Sequence, residues 1–102
     1  IIVERKKIWD KKWRVVIFDI PEVIKQNRDV FRQKLHELKF IQIQKSVYVY
    51  PFECTPEITT ISQILNITKY VTIMISEIIQ GEEKILALFL DNDVLQKRDL
   101  KK

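Results

Sequence analysis

The sequence predicts an α+β fold in which two helices cover one face of an antiparallel sheet. The first observation is a central strand at residues 13–19, which is apolar, rich in β-branched and aromatic side chains, and followed by Pro21. The second is the order of the patterns that follow, because helical and alternating periods succeed one another as α-β-β-α-β. A short amphipathic helix follows this core near the C-terminal end.

Length and composition fit one domain of 102 residues with 46% hydrophobic and 31% charged residues. No apolar stretch reaches the roughly 18 residues that span a bilayer. The single cysteine, Cys54, excludes an internal disulfide and a cysteine-rich zinc site, and a cytoplasmic location is expected. The chain starts with Ile1, so we expect a piece of a longer protein or missing first residues. The predicted division is an arm or linker at 1–12, a domain at 13–90 and a charged tail at 91–102.

Positive charge is concentrated in the first half of the chain. Residues 1–50 carry 12 Lys and Arg against 6 Asp and Glu, whereas residues 51–102 carry 6 against 8. The first half is therefore the region where an anionic partner would bind, unless it is simply a solvated lysine-rich surface.

The first helix is predicted at about residues 25–39 and has two distinct faces. An apolar stripe faces the core at helical spacing and consists of Ile24, Phe31, Leu35 and Leu38. A basic stripe beside it spans an arc of about 80° and consists of Lys25, Arg28, Arg32, His36 and Lys39. The basic stripe is either a surface that contacts successive phosphates of a nucleic acid or an ordinary solvated face. Asp29 and Glu37 lie close enough to neutralise part of its charge.

Two alternating segments follow, at residues 41–44 and 47–50. Their β-branched residues should face the core, and Tyr48 and Tyr50 should face outward with Gln42 and Gln44. The outward tyrosines would either stack on bases or fill a dimer interface. A kink or bulge is expected at Lys45-Ser46, which lacks the residues of a tight hairpin.

The second half continues the pattern. A second helix starts at Thr55-Pro56-Glu57, with Thr55 as N-cap, and ends near Asn66. Its buried face consists of Ile58, Ile61 and Leu65. A strand at 71–79, a turn at Gly81 and a short apolar-faced helix follow, and residues 91–102 should fray.

This order is the ferredoxin-like β-α-β-β-α-β arrangement, an antiparallel sheet with both helices on one face, plus a short C-terminal helix. The other sheet face needs cover. Symmetric pairing of two chains through that face would provide it and would bring their strand ends together across a two-fold axis.

Asp19, at the end of the first strand, is the one well-placed carboxylate. It either caps the turn or acts as an acid or metal ligand. The sequence has no glycine-rich phosphate loop, no His-Glu-x-x-His pattern and a single histidine, His36. The catalytic route that remains is a two-fold pair of Asp19 residues that share one Mg²⁺ or Mn²⁺.

The segments 15–21 and 44–48 resemble the small ferredoxin-fold proteins of CRISPR spacer acquisition, in which an apolar strand ends in Asp-Ile or Asp-Val. The match is closer to the central domain of PaaX-type transcriptional repressors. It runs through Trp9 to Arg14, with one residue more than the pattern, through Asp19 to Glu22, and through Ser46 to Pro51, with Cys54 beyond. It covers about residues 9–90.

The resemblance implies a dimer with the two Asp19 residues near the axis, where the CRISPR proteins bind metal. In the repressors the domain lies between a winged-helix DNA reader and a C-terminal domain. The chain departs from the CRISPR proteins in lacking the glycine after the first helix, where Lys39-Phe40 stands, and the arginine cluster after Asp-Ile. It also ends in a helix where those proteins add a strand, so transfer of the nuclease role is weakened.

We therefore expect a dimerising, nucleic-acid-associated domain of a PaaX-type regulator that needs no cofactor, binds double-stranded DNA or RNA and does not enter a membrane. Candidate phosphate contacts are Arg14, Lys25, Arg28, Arg32, Lys39 and Lys45. The alternative is a CRISPR acquisition protein or endonuclease that binds Mg²⁺ or Mn²⁺ through Asp19 and has an integrase subunit as partner. A third possibility is a purely structural homodimer.

Overall fold

The computed structural model describes residues 8–77 and 79–101, and within them a four-stranded antiparallel sheet is combined with three α-helices. The strands are β1 (Trp13–Phe18), β2 (Ile41–Gln44), β3 (Val47–Tyr50) and β4 (Val71–Ser76). The helices are α1 (Lys25–Glu37), α2 (Thr55–Ile64) and α3 (Glu82–Asp91), and short 3-10 turns occupy Glu22–Ile24, Thr68–Tyr70 and Lys97–Leu100. The mixed α/β class predicted from the sequence is confirmed.

β1 lies in the interior of the sheet, as its apolar composition predicted. The strand order is β2-β3-β1-β4, and β1 pairs antiparallel with both β3 and β4. Val16 lies opposite Tyr48 on one side and Ile73 on the other. The register between β2 and β3 shifts between Gln42 and Gln44, so the irregularity lies within β2 and not at Lys45-Ser46, where it was predicted.

The first core lies between the sheet and the two helices α1 and α2. Val16 and Phe18 of β1 pack with Phe31 and Leu35 of α1 and with Ile58 of α2, and all five are buried. The apolar stripe of α1 therefore faces the sheet as predicted. The helix ends at Glu37, before the predicted end, because Lys39 takes a left-handed backbone conformation with φ 69°.

The prediction that Tyr48 and Tyr50 face outward is wrong. Tyr48 is fully buried in the first core, where its ring stacks on Phe18 with the centroids 5.8 Å apart. Tyr50 is half-buried and its ring stacks on Phe40 at 4.5 Å. Alternation identifies the two faces of a strand, but both faces of β3 are covered, so neither set of its residues faces solvent. Gln42 and Gln44 of β2 are exposed, as predicted.

The second core lies on the opposite face of the sheet, beneath α3. Trp13, which is fully buried, has its ring centroid 4.8 Å from that of Trp9 and 5.8 Å from that of Phe89. Its indole N–H also donates to Glu82 Oε1 at 2.9 Å, at the start of α3. The chain therefore covers this face with its own C-terminal helix, and the expectation that a second chain is needed there is wrong.

The segment after α3, expected to fray, is packed within the described residues. Val94 and Leu95 are buried in the second core, and the Gln96 N–H donates to Asp99 Oδ2 at 2.7 Å in a capping box. Lys11 Nζ donates to the Asp99 backbone carbonyl. Burial of Val94 and Leu95 thus keeps this segment packed, although its charged residues predicted fraying. Residues 1–7 of the predicted arm, and Lys102, lie outside the described residues.

The start of α2 differs by one residue from the predicted cap. Thr55 is the first helical residue and not the N-cap, and its N–H donates to Glu53 Oε1 at 2.7 Å. Cys54 therefore occupies the N-cap position, and the Glu53 carboxylate accepts the backbone hydrogen bond that an N-cap side chain usually accepts.

No helix within residues 8–77 and 79–101 combines the length and apolar character that a bilayer crossing requires.

Candidate nucleic-acid interface

Three elements meet at the carboxyl end of β1: the outer face of α1, the β2–β3 turn and the residues that follow β1. Arg32 Nη2 donates to the Lys45 carbonyl at 3.2 Å and lies 3.4 Å from Ser46 Oγ. The Ser46 backbone carbonyl accepts the Phe18 backbone N–H at 3.1 Å. These bonds place Arg32 and Lys45 beside the strand end that leads into Asp19.

Arg32 is held in a defined orientation. Its guanidinium carbon lies 5.8 Å from the centroid of the Phe18 ring, and its Nε is buried without a hydrogen-bond partner among the described residues. An arginine whose guanidinium lies over an aromatic ring presents its remaining Nη donor in a fixed direction, which suits a phosphate better than a freely rotating side chain does. Arg32 is thus the best-positioned cation of this corner.

Lys25 and Arg28 extend the basic surface along α1 toward its N-terminal end. Arg28 Nη1 lies 3.0 Å from Glu22 Oε2, and its Nε lies 3.7 Å from Asp29 Oδ1. Both carboxylates are largely exposed, so the pairing weakens the positive field without removing it. A shallow groove follows along the same helix, lined by Asp29, Arg32, Gln33, His36 and Glu37.

Lys39 lies away from the other cations of α1, whereas His36 lines the groove beside Arg32. Lys39 follows the end of α1, and its Nζ lies 3.3 Å from the Asn92 carbonyl, beyond the end of α3. His36 Nε2 lies 3.4 Å from the Tyr48 hydroxyl. Burial raises the pKa of Tyr48, and the charge of Arg32 acts in the opposite direction.

Arg14 has a different environment from the other candidate cations. It is 7% exposed, and it donates to both oxygens of Asp10 at 2.8 Å and to the carbonyls of Lys12 and Pro51 at 3.0 and 2.9 Å. The hydrogen bond from Arg14 lowers the pKa of Asp10 to about 2. Because both terminal nitrogens donate within the chain, Arg14 is a poor candidate for a phosphate contact.

Asp19 is exposed at the mouth of β1. Its backbone N–H donates to the Tyr70 carbonyl at 3.0 Å, which extends the ladder by one residue. Its carboxylate has no hydrogen bond or ion pair with any described residue, and Pro21, two positions on, has no N–H to donate. The structure therefore provides no support for Asp19 as a turn cap.

The residues around Asp19 do not fit a resident divalent metal. Within residues 8–77 and 79–101 no three His, Cys, Asp or Glu side chains are close enough together to hold a metal ion. Mg²⁺ prefers a near-octahedral set of oxygens, of which one carboxylate supplies too few. A metal at this position would need ligands from a second chain.

We therefore expect no cleavage of labelled RNA or DNA by this chain in the presence of Mg²⁺ or Mn²⁺. Denaturing gels should show the same background for the wild type, for Asp19→Ala and for the control Glu83→Ala, which removes an exposed acid on α3. Metal-dependent cutting that disappears only in Asp19→Ala would contradict this expectation.

A family model described as the PaaX protein central Cas2-like domain matches residues 6–87, which is most of the chain. No curated protein and no solved structure matches the sequence.

Proposed function

The chain belongs to the family of the PaaX central Cas2-like domain, and on this premise we propose that it is the dimerising, nucleic-acid-associated domain of a PaaX-type transcriptional regulator in the cytoplasm. Its role is to hold the DNA-reading arms of the regulator at a fixed spacing. The family match carries this proposal. The basic surface formed by α1 and the β2–β3 turn, with Arg32 and Lys45 at its centre, supports it.

The proposal includes a ferredoxin-like topology. Two features support it: the strand order β2-β3-β1-β4 with antiparallel neighbours, and the packing of α1 and α2 in a common core. In a split βαβ arrangement one strand lies between the two strands that a helix connects, and β3 lies between β1 and β2 in this way. Backbone NOEs between Val15 and Met74, which are register partners, would check the β1–β4 pairing.

The proposed contacts to double-stranded nucleic acid are Lys25, Arg28, Arg32 and Lys45, which line α1 and the adjoining turn. Contacts of this kind neutralise phosphates and orient the protein without reading sequence. Binding should therefore be weak, independent of sequence and strongly dependent on salt. Arg14 is left out because both of its terminal nitrogens donate within the chain, and Lys39 because it lies toward α3.

We expect the double variant Arg28→Glu/Arg32→Glu to bind a random-sequence DNA duplex at least about tenfold more weakly than wild type, with a salt slope smaller by about 2. Fluorescence anisotropy at several salt concentrations measures both quantities. The double variant Lys84→Glu/Lys97→Glu is the matched control, because it changes the net charge equally through exposed lysines on α3 and the last 3-10 turn.

Equal losses in the two variants would mean that overall charge, and not this corner, attracts DNA. Unchanged affinity in both would favour a purely structural homodimer. Either result would contradict the proposed interface while leaving family membership intact.

A further inference from the structure

The outer edge of β4 is the least protected edge of the described sheet. β4 is at one end of the strand order, has six residues without charge or proline, and leaves Met74 48% and Ile75 58% exposed. β2, at the other end, has four residues, a register shift and two exposed glutamines. Proteins normally protect edge strands by shortness, bulges, prolines or charges, and β2 has such protection whereas β4 has none.

The direction of the backbone groups in β4 follows from one hydrogen bond. Asp19 and Tyr70 continue the β1–β4 register, and the Asp19 N–H donates to the Tyr70 carbonyl at 3.0 Å. In an antiparallel ladder, hydrogen-bonded pairs alternate with pairs that are not hydrogen-bonded. Thr72 and Met74 therefore direct their backbone groups toward β1, and the residues between them direct theirs away.

Ile73 and Ile75 thus present N–H and C=O groups along the outer edge. Val71 shares this direction, but its N–H donates to the Thr68 carbonyl, so only its carbonyl is available there. These groups are paired with no described residue of the sheet. An edge of this kind is complementary to another extended strand.

We propose that two copies of this chain pair along their β4 edges, antiparallel and about a two-fold axis at Ile73. In this register Ile73 of each copy exchanges both hydrogen bonds with Ile73 of the other. The Ile75 N–H of each copy donates to the Val71 carbonyl of the other. If the register shifted by one residue, backbone groups of one copy that point outward would face residues of the other copy whose backbone groups point toward β1. The alternation of β4 therefore allows this register but not one shifted by a single residue.

The charges at the ends of β4 favour the same direction of pairing. Lys69 precedes the strand and Glu77 follows it, and both are exposed. Antiparallel pairing brings Lys69 of each copy toward Glu77 of the other, whereas parallel pairing would bring like charges together. Met74 and Ile75 would each lose solvent exposure against the facing strand.

The resulting assembly is closed. The two sheets join into one continuous sheet whose outer edges are the protected β2 strands, so pairing stops at two copies. The inference rests on the dimer of the proposed function and names its interface. Strand spacings place the two Asp19 residues roughly 25 Å apart in this dimer, too far to share a metal ion.

Sedimentation velocity over a wide range of concentration tests the interface. We expect the wild type to be a dimer, and Ile75→Lys to raise the dimer dissociation constant by about tenfold or more, since a charge on an edge strand opposes pairing. Ile64→Lys is the matched control, because Ile64 is 77% exposed on α2, and it should leave the dissociation constant unchanged.

Charge reversal provides a second test that does not alter the strand itself. Lys69→Glu and Glu77→Lys should each weaken the dimer by about three- to tenfold, and the double reversal should restore it. A wild-type dimer that none of these variants weakens would overturn the β4 interface and leave the proposed dimer standing. A wild type that is monomeric at every concentration would overturn both, with DNA binding still tested separately.

Discussion

Replacing Trp13 by alanine is expected to lower the free energy of unfolding by about 3 to 5 kcal/mol, the range typical of a fully buried aromatic side chain. Trp13 is 0% exposed and fills the second core between Trp9 and Phe89. Its removal leaves a cavity and also deprives Glu82 of the indole N–H. Since small domains have about 5 to 15 kcal/mol of stability in total, the variant should be close to unfolded at 37 °C.

Urea denaturation followed by circular dichroism measures this loss. Trp13→Phe keeps an aromatic ring and should lose about 1 to 2 kcal/mol. Ile64→Ala, at a position 77% exposed, should stay within about 0.5 kcal/mol of wild type. If Trp13→Ala behaved like Ile64→Ala, α3 could not be packed over the sheet as described.

Breaking the Arg14–Asp10 pair is expected to destabilise the domain by about 2 to 3 kcal/mol when Asp10 is replaced by alanine. Arg14 has 9% of its side chain exposed, so its charge loses its carboxylate partner where water reaches it poorly. The expected loss of stability is smaller than for a fully buried ion pair because the Asp10 side chain is 45% exposed. Removing both members, in Asp10→Ala/Arg14→Met, should recover part of the loss.

A second arginine pair in the same chain is the control. Arg28 pairs with Glu22 at 3.0 Å, but the Glu22 side chain is 74% exposed, so Glu22→Ala should cost less than about 1 kcal/mol. Equal effects for Asp10→Ala and Glu22→Ala would show that burial of Arg14 does not matter.

Acid titration gives an independent check on the same pair. The pKa of Asp10 is about 2 in the folded chain against an ordinary value of 3.8, chiefly because Arg14 donates to it. A carboxyl group with a lowered folded pKa stabilises the fold above its unfolded pKa, and this contribution is lost as the pH falls toward the folded value. The stability difference between wild type and Asp10→Asn should therefore be constant at neutral pH and shrink between about pH 4 and pH 2.

Local patterns were sufficient to predict the elements of this fold. The apolar run of β1, the stripe of Phe31 and Leu35, and the Thr-Pro-Glu start of α2 each determine an element through neighbours a few positions away. The prediction failed for Tyr48 because alternation separates two faces without telling which of them is covered. Tyr48 lies on the face covered by α1 and α2, whereas Val49 faces α3 and Trp9, and this assignment depends on contacts between segments that are far apart in the sequence.

The sequence was sufficient to predict that the candidate site is basic and on which face of α1 it lies. The spacing of Lys25, Arg28 and Arg32 identifies a basic side of α1, but only the structure adds the turn at Lys45 to it. Arg14 and Lys39 could not be separated from this group by sequence, because their environments depend on Pro51 and Asn92, distant contacts that no local period encodes.

The second core also has a consequence for the order of folding. It joins Trp9 and Trp13 near the start of the described chain to Phe89 and Leu95 near its end. Closing so long a loop in one step costs more chain entropy than docking α3 after β4, which ends shortly before α3 begins, has paired with β1. The sheet with α1 and α2 should thus form first and α3 dock last, and amide exchange in α3 should report the earliest opening of the native state.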